Sequence, residues 1–191
     1  VDITTGKREL VEENEGFADI GTDDDFRLRY AAKFSMVDGS ILLYKADGKG
    51  GWIEYDKIPM EDTMTTSILG FDKSGENIYA LDSRGRNTAA LYVVNIESGE
   101  KKLIATNDKA DVSNLMAHPT EKTIEAVASN YLKTEWQFLD AKVEADFRKL
   151  KEVAEGELSV TSRTLADDKW IATFVPDDGP VRYYLFDRKT G

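Results

Sequence analysis

Apolar and β-branched residues fall in short runs along this chain, broken by turns of Gly, Asp, Asn and Pro, and the compound pattern returns roughly every 46 residues. The clearest copy spans Ile68 to Ile104. It holds an apolar run, the turn Lys73-Ser74-Gly75, a second run from Asn77 to Leu81, the hairpin Asp82-Ser83-Arg84-Gly85, and a tyrosine-bearing run from Leu91 to Ile96. β-branched and aromatic residues crowd these runs, as a pleated, half-buried surface prefers. A repeat of this length predicts a β-propeller, each unit a four-stranded blade that cannot bury both faces alone. The expected fold is all-β, a partial propeller of about four blade-equivalents of antiparallel four-stranded sheets.

Three further copies align by their turns. The first runs from Arg27 to Phe34, then Val37-Asp38-Gly39, Ile41 to Tyr44, Asp47-Gly48-Lys49-Gly50-Gly51 and Trp52 to Tyr55. The third places His118-Pro119-Thr120 between Leu115-Met116 and the run Thr123 to Ala128, followed by Glu135 to Leu139. The fourth holds Val160 to Leu165, Asp167-Asp168, Trp170 to Val175, Pro176-Asp177-Asp178-Gly179 and Arg182 to Phe186. These phases divide the chain into a tail, 1–16, and blade-equivalents at 17–64, 65–112, 113–158 and 159–191. Both ends look cut in mid-blade: Val1 to Leu10 matches Val94 to Leu103, and Tyr184 to Gly191 stops at the corresponding turn. Either the chain is a piece of a longer protein, or it is a four-blade ring in which Lys7 to Val11 closes the last blade and removes open sheet edges.

One stretch leaves the strand pattern. Around 140–154, Leu139, Val143, Phe147, Leu150 and Ala154 recur at helical spacing among strong helix formers. Asp140 is the expected N-cap and Gly156 the stop. This amphipathic helix is expected to replace the tight turn between the third and outer strands of the third blade, with its apolar stripe against its own propeller.

Composition narrows the partners. The 191 residues carry 25 Lys and Arg against 36 Asp and Glu, a net charge of −11, which opposes nucleic-acid phosphates and anionic lipid surfaces. No run approaches the ~18 apolar residues of a membrane-spanning helix, and Val1 to Leu10 has no signal-peptide character. The absence of Cys excludes disulfides and thiolate chemistry without choosing a compartment. A soluble protein, cytoplasmic or periplasmic, is expected, with neither nucleic acid nor membrane as partner.

Candidate chemistry is sparse. No G-x-S-x-G nucleophile turn is present, and the single imidazole, His118, stands in a His-Pro turn, so no catalytic residue is expected. Asp23-Asp24-Asp25, Asp167-Asp168 and Asp177-Asp178 lack the spacing of a calcium loop and read as turns, which leaves neither a metal site nor a cofactor expected. Gly48-Lys49-Gly50-Gly51 lacks the Lys-Ser/Thr ending and following helix of a phosphate loop, and reads as a hairpin. Trp52, Trp136 and Trp170 read as packing residues. Arg27 and Arg29 alternate with Phe26, Leu28 and Tyr30 on what this phasing makes a first, channel-lining strand. They are the candidate substrate-binding residues, two guanidiniums offered to a carboxylate.

The run Leu69 to Gly75, continued by Leu81 to Leu91, resembles the propeller repeats of the prolyl oligopeptidase family of serine peptidases, which includes acylaminoacyl peptidases and dipeptidyl peptidases. Tyr131 to Asp140 with its Thr134-Glu135-Trp136, the helix, Asp167 to Trp170, Gly179-Pro180 and Arg182 to Asp187 resemble the same bacterial branch. The repeat alone is shared with Tol-type periplasmic propellers. The resemblance covers essentially the whole chain and matches the N-terminal β-propeller region. It implies a non-catalytic propeller that gates peptide access to an α/β-hydrolase domain elsewhere in the same parent chain, where the catalytic Ser, Asp and His reside. The rival expectation is a stand-alone propeller acting as a protein-interaction scaffold.

Overall fold

The computed structural model describes residues 1–14 and 16–191; Glu15, inside the expected tail 1–16, lies outside the described residues. The chain divides into two compact units, Val1–Thr63 and Met64–Gly191. The first holds one antiparallel sheet in chain order: β1 (Asp19–Thr22), β2 (Leu28–Phe34), β3 (Ile41–Ala46) and β4 (Trp52–Ile58). The second holds three such sheets. They are β5 (Ser67–Phe71), β6 (Asn77–Asp82), β7 (Ala90–Asn95) and β8 (Lys101–Ala105); then β9 (Val112–Ala117), β10 (Ile124–Asn130) and β11 (Thr134–Phe138); then β12 (Glu157–Arg163), β13 (Lys169–Val175) and β14 (Arg182–Asp187). Four antiparallel meanders in series, with one helix and no closed barrel, make an all-β partial propeller. Among the described residues no helix is long and apolar enough to cross a membrane.

The phase of the first repeat differs from that read along the sequence. Expectation made Arg27 to Phe34 a first strand and Val37-Asp38-Gly39 the counterpart of Lys73-Ser74-Gly75. Instead β1 precedes it, so β2 is second in its sheet and the true counterpart of Lys73-Ser74-Gly75 is Asp24-Asp25-Phe26. The side chains confirm the match. Gly21 faces Tyr30 across β1 and β2 as Gly70 faces Tyr79 across β5 and β6. A Cβ on Gly21 would lie 2.0 Å from the Tyr30 ring, so the ring occupies the space that the glycine leaves.

All four sheets close their first turn in one way. Asp23, Asp72, His118 and Thr164 each receive hydrogen bonds from backbone N–H groups within the turn through a side-chain atom. Three or four residues later, a left-handed residue donates its N–H back to that residue's carbonyl: Phe26 at φ 60°, Gly75 at 70°, Lys122 at 58° and Asp167 at 52°. The Asp23-Asp24-Asp25 cluster is thereby a turn, as is Gly48-Lys49-Gly50-Gly51, where Asp47 Oδ1 accepts the N–H groups of Lys49 and Gly51.

The helix α1 (Ala141–Leu150) forms where its apolar spacing placed it, with Asp140 capping the N–H groups of Lys142 and Val143 at 2.7 and 3.1 Å. Its position in the blade is corrected. It does not bridge a third and an outer strand, because the chain passes from α1 into β12, the first strand of the next sheet. The β9–β11 and β12–β14 sheets have three strands each, against the four expected. Val143, Phe147 and Leu150 bury their side chains among Met116, Leu158, Trp170 and Phe174, which come from both flanking sheets. The apolar stripe, about 100° wide on such a helix, thus fills the wedge between two blades.

At equivalent turn positions two substitutions should act with opposite signs. Gly75→Ala forces a Cβ into the left-handed region and should cost about 1 kcal/mol, whereas Phe26→Gly relieves that strain and should raise stability by up to about 1 kcal/mol. Urea midpoints of the two variants check the pair.

Candidate functional site

The densest concentration of chemistry lies where β9, β10, β12, β13 and α1 converge. Asp167, in the β12–β13 turn, is 5% exposed and is held from several sides. Arg163, the last residue of β12, grips it in a bidentate pair, Nε to Oδ1 at 2.6 Å and Nη2 to Oδ2 at 2.5 Å. Trp170 Nε1 donates to Oδ1 at 2.7 Å, and Arg188, just beyond β14, donates through Nη1 to both Oδ2 and the carbonyl. Arg163 also donates through Nη1 to the Ala117 carbonyl at 2.8 Å and lies 2.7 Å from Glu125 Oε2, the latter an ion-pair contact without hydrogen-bond alignment. Arg188 Nε meets Asp146 of α1 at 2.8 Å. Both guanidiniums pack over Trp170, at 5.1 and 4.4 Å from its ring centroid.

This geometry sets the charge states. Burial opposes the Asp167 carboxylate, but Arg163, the Trp170 indole and Arg188 outweigh it, and the carboxyl is held below the usual range. Burial likewise opposes the Arg163 cation, and Asp167 and Glu125 reverse the effect, so its pKa is raised. His118, Glu125 and Asp167 bring one ligand atom each within 4.8 Å of one another, a spacing that would suit a metal ion. The Arg163 guanidinium already bridges the two carboxylates, so the donor set is satisfied by an organic cation and fits a bound metal poorly. His118 uses Nδ1 to accept the N–H groups of Thr120 and Glu121, while Nε2 faces Asp167 Oδ2 at 3.9 Å.

The candidate substrate-binding arginines lie elsewhere, in the first unit. Arg27 stands in the β1–β2 turn, its side chain 73% exposed and 3.3 Å from Asp25. Arg29, on β2, is half-buried, with Nη1 on Asp23 Oδ2 at 2.9 Å. Burial of the Asp23 carboxyl is outweighed by Arg29 and by the Arg27 and Asp25 N–H groups, which lower its pKa. The structure therefore brings Arg27 and Arg29 to one turn, one exposed and the other anchored, on the second strand of its sheet.

Of the tryptophans, Trp170 is fully buried, Trp136 donates to the Leu158 carbonyl at 3.2 Å, and Trp52 stacks with Phe17 at 5.3 Å. The Arg163–Asp167–Arg188 node escaped the sequence reading. Its members lie on separate strands and turns, and the only local signal is Asp167 three residues before Trp170, which reads as an ordinary turn.

Truncating one partner of a buried ion pair strands the others, so Arg163→Met should destabilise the fold by about 3 kcal/mol in urea titrations. Because the folded pKa of Asp167 is depressed, its contribution is present above the unfolded value of about 3.9 and is lost as pH falls through that value toward the folded one. In a series of urea midpoints against pH, Asp167→Asn should flatten the acid limb below about pH 5 and leave a pH-independent loss above it.

Comparison with known proteins places this arrangement. Dipeptidyl aminopeptidase BIII of Pseudoxanthomonas mexicana is 38% identical over 192 aligned positions, which cover all of this chain and 28% of that protein. Dipeptidyl peptidase family member 6 of Caenorhabditis elegans is 27% identical over 194 positions, covering 96% of this chain and 26% of its own length. The chain thus spans just over a quarter of the length of these curated relatives. No family model matches, and no solved structure matches. Over its whole length the chain is a homologue of a segment of the prolyl oligopeptidase-family dipeptidyl peptidases.

Proposed function

We propose that this chain is a non-catalytic propeller portion of a serine peptidase that removes dipeptides, and that it gates peptide access to an α/β-hydrolase domain of the same parent protein. The observation that carries this reading is the match of the whole chain to a dipeptidyl aminopeptidase of which it spans only 28%. The local chemistry agrees. Asp167 is consumed by two arginines and an indole, and His118 serves its turn through Nδ1, so neither group is poised as part of a nucleophile–base pair. Blade-equivalents at 17–64, 65–112, 113–158 and 159–191 would form part of the wall of an access channel. Arg27, with its exposed guanidinium, is the residue proposed to meet an acidic group on an incoming peptide, and Arg29 to orient the turn that carries it.

Two measurements test the reading. The 191-residue chain alone should not release chromophore from dipeptidyl chromogenic substrates, and turnover would refute a non-catalytic role. The full reading frame should encode a G-x-S-x-G followed by Asp and then His. A frame without them would favour the protein-interaction scaffold. In the full-length enzyme, Arg27→Ala should raise KM severalfold for substrates with an acidic residue and leave kcat for neutral ones unchanged.

A further inference from the structure

One hairpin turn recurs three times in this chain, and only one copy carries its returning strand within a sheet. At Asn95, Oδ1 accepts the N–H groups of Glu97 and Ser98, and Gly99 at φ 71° donates to the Asn95 carbonyl. The chain then returns as β8 along the outer edge of β7. At Asp2, Oδ1 accepts the N–H groups of Thr4 and Thr5, Gly6 sits at φ 71°, and Gly6 donates to the Asp2 carbonyl. At Asp187, Oδ1 accepts the Lys189 N–H, Gly191 sits at φ 87°, and Gly191 donates to the Asp187 carbonyl.

These copies leave two complementary halves. β14 corresponds to β7 but is the last strand of its sheet, so its outer edge carries no strand among the described residues. A cleft of about 580 Å³ runs beside that edge, between Tyr184, Leu185 and Phe186 on one side and Leu150 and Val153 at the end of α1 on the other. Lys7 to Val11 corresponds to β8, Lys-Arg-Glu-Leu-Val against Glu-Lys-Lys-Leu-Ile, yet belongs to no sheet, with Leu10 79% and Val11 72% exposed. An unpaired strand edge is a template for another strand, and an exposed β-forming segment is its natural complement.

We propose that two copies of this chain exchange strands, Lys7 to Val11 of one adding antiparallel to the outer edge of β14 of the other. The β7–β8 ladder, in which Val94 pairs Lys101, Val93 pairs Lys102 and Tyr92 pairs Leu103, supplies the register. Transferred, it sets Phe186 against Arg8, Leu185 against Glu9 and Tyr184 against Leu10. Charges agree at both ends: Lys7 falls opposite Asp187, as Glu100 does opposite Asn95, and the acidic Glu12-Glu13 approaches Arg182. Two reciprocal ladders close the dimer, so the exchange ends at two copies. This surface is independent of the peptidase reading, since it requires only the 191-residue chain.

Sedimentation equilibrium and light scattering on the purified chain should give twice its 21.4 kDa mass at tens of micromolar. Of two consecutive strand residues one N–H must face the ladder, so the double variant Glu9→Pro, Leu10→Pro should raise the dimer dissociation constant roughly tenfold or more. Its thermal midpoint at dilution should not change, because the segment packs on nothing within its own chain. Lys7→Glu should weaken the dimer most at low salt, by placing a carboxylate opposite Asp187. A monomer at these concentrations, or a dimer indifferent to the prolines, would overturn the proposal.

Discussion

The second unit is organised around a charge that water would otherwise hold. Asp167 sits in a left-handed turn, nearly inaccessible, and a bare carboxylate there would cost several kcal/mol in desolvation. Two guanidiniums and an indole N–H compensate it, and each arrives from a different place: Arg163 from β12, Trp170 from β13, Arg188 from beyond β14. Because Arg163 also reaches Ala117 and Glu125, and Arg188 reaches Asp146, one anion fixes the spacing of two sheets and a helix together. Hydrophobic burial alone would not specify that arrangement. The apolar wedge of Val143, Phe147 and Leu150 is greasy on all sides and tolerates sliding, whereas a bidentate ion pair does not.

The same division appears between the other sheets of this unit. Leu91, Ala105, Val112 and Val127 form a dry core between β5–β8 and β9–β11, and polar ties set its register. Among them, the Ala89 N–H reaches Asp111 at 2.6 Å and Lys73 reaches Glu121 at 2.6 Å. Asp82 shows the smaller version of the central device. Burial opposes its charge, but Arg84 and Lys101 overcome it, and Lys101 also lies 3.8 Å from the Tyr92 ring centroid. A family of folds that stacks near-identical blades needs such local keys, because apolar faces alone do not distinguish one neighbour from another.

Much of this was legible from the order of residues. Strands, hairpins and the capped helix follow from patterns a few residues long: alternation, turn-forming Asp and Gly, and the spacing of Val143, Phe147 and Leu150. The misplaced phase of the first blade was a legible feature read wrongly. Ile20 to Tyr30 matches Leu69 to Tyr79 without a gap, but Phe26 stands where the other copy has Gly75, and a bulky residue conceals a left-handed turn. The strand count of the last two sheets was beyond such reading, since nothing local says that a helix ends one blade by feeding the next.

The sequence by itself determined the period, the antiparallel meanders, the helix with its N-cap, and a resemblance that the comparisons bear out. All are local, set by backbone preferences and by side chains within a turn or two of each other. Only the tertiary structure decided that Asp167, Arg163, Arg188 and Glu125 form a single buried node, and that Arg29 is anchored while Arg27 is exposed. The physical reason is range. A hydrogen-bond pattern is written over a few residues, whereas a buried charge is compensated by whichever side chains packing brings within about 3 Å, and their separation along the chain carries no trace of it.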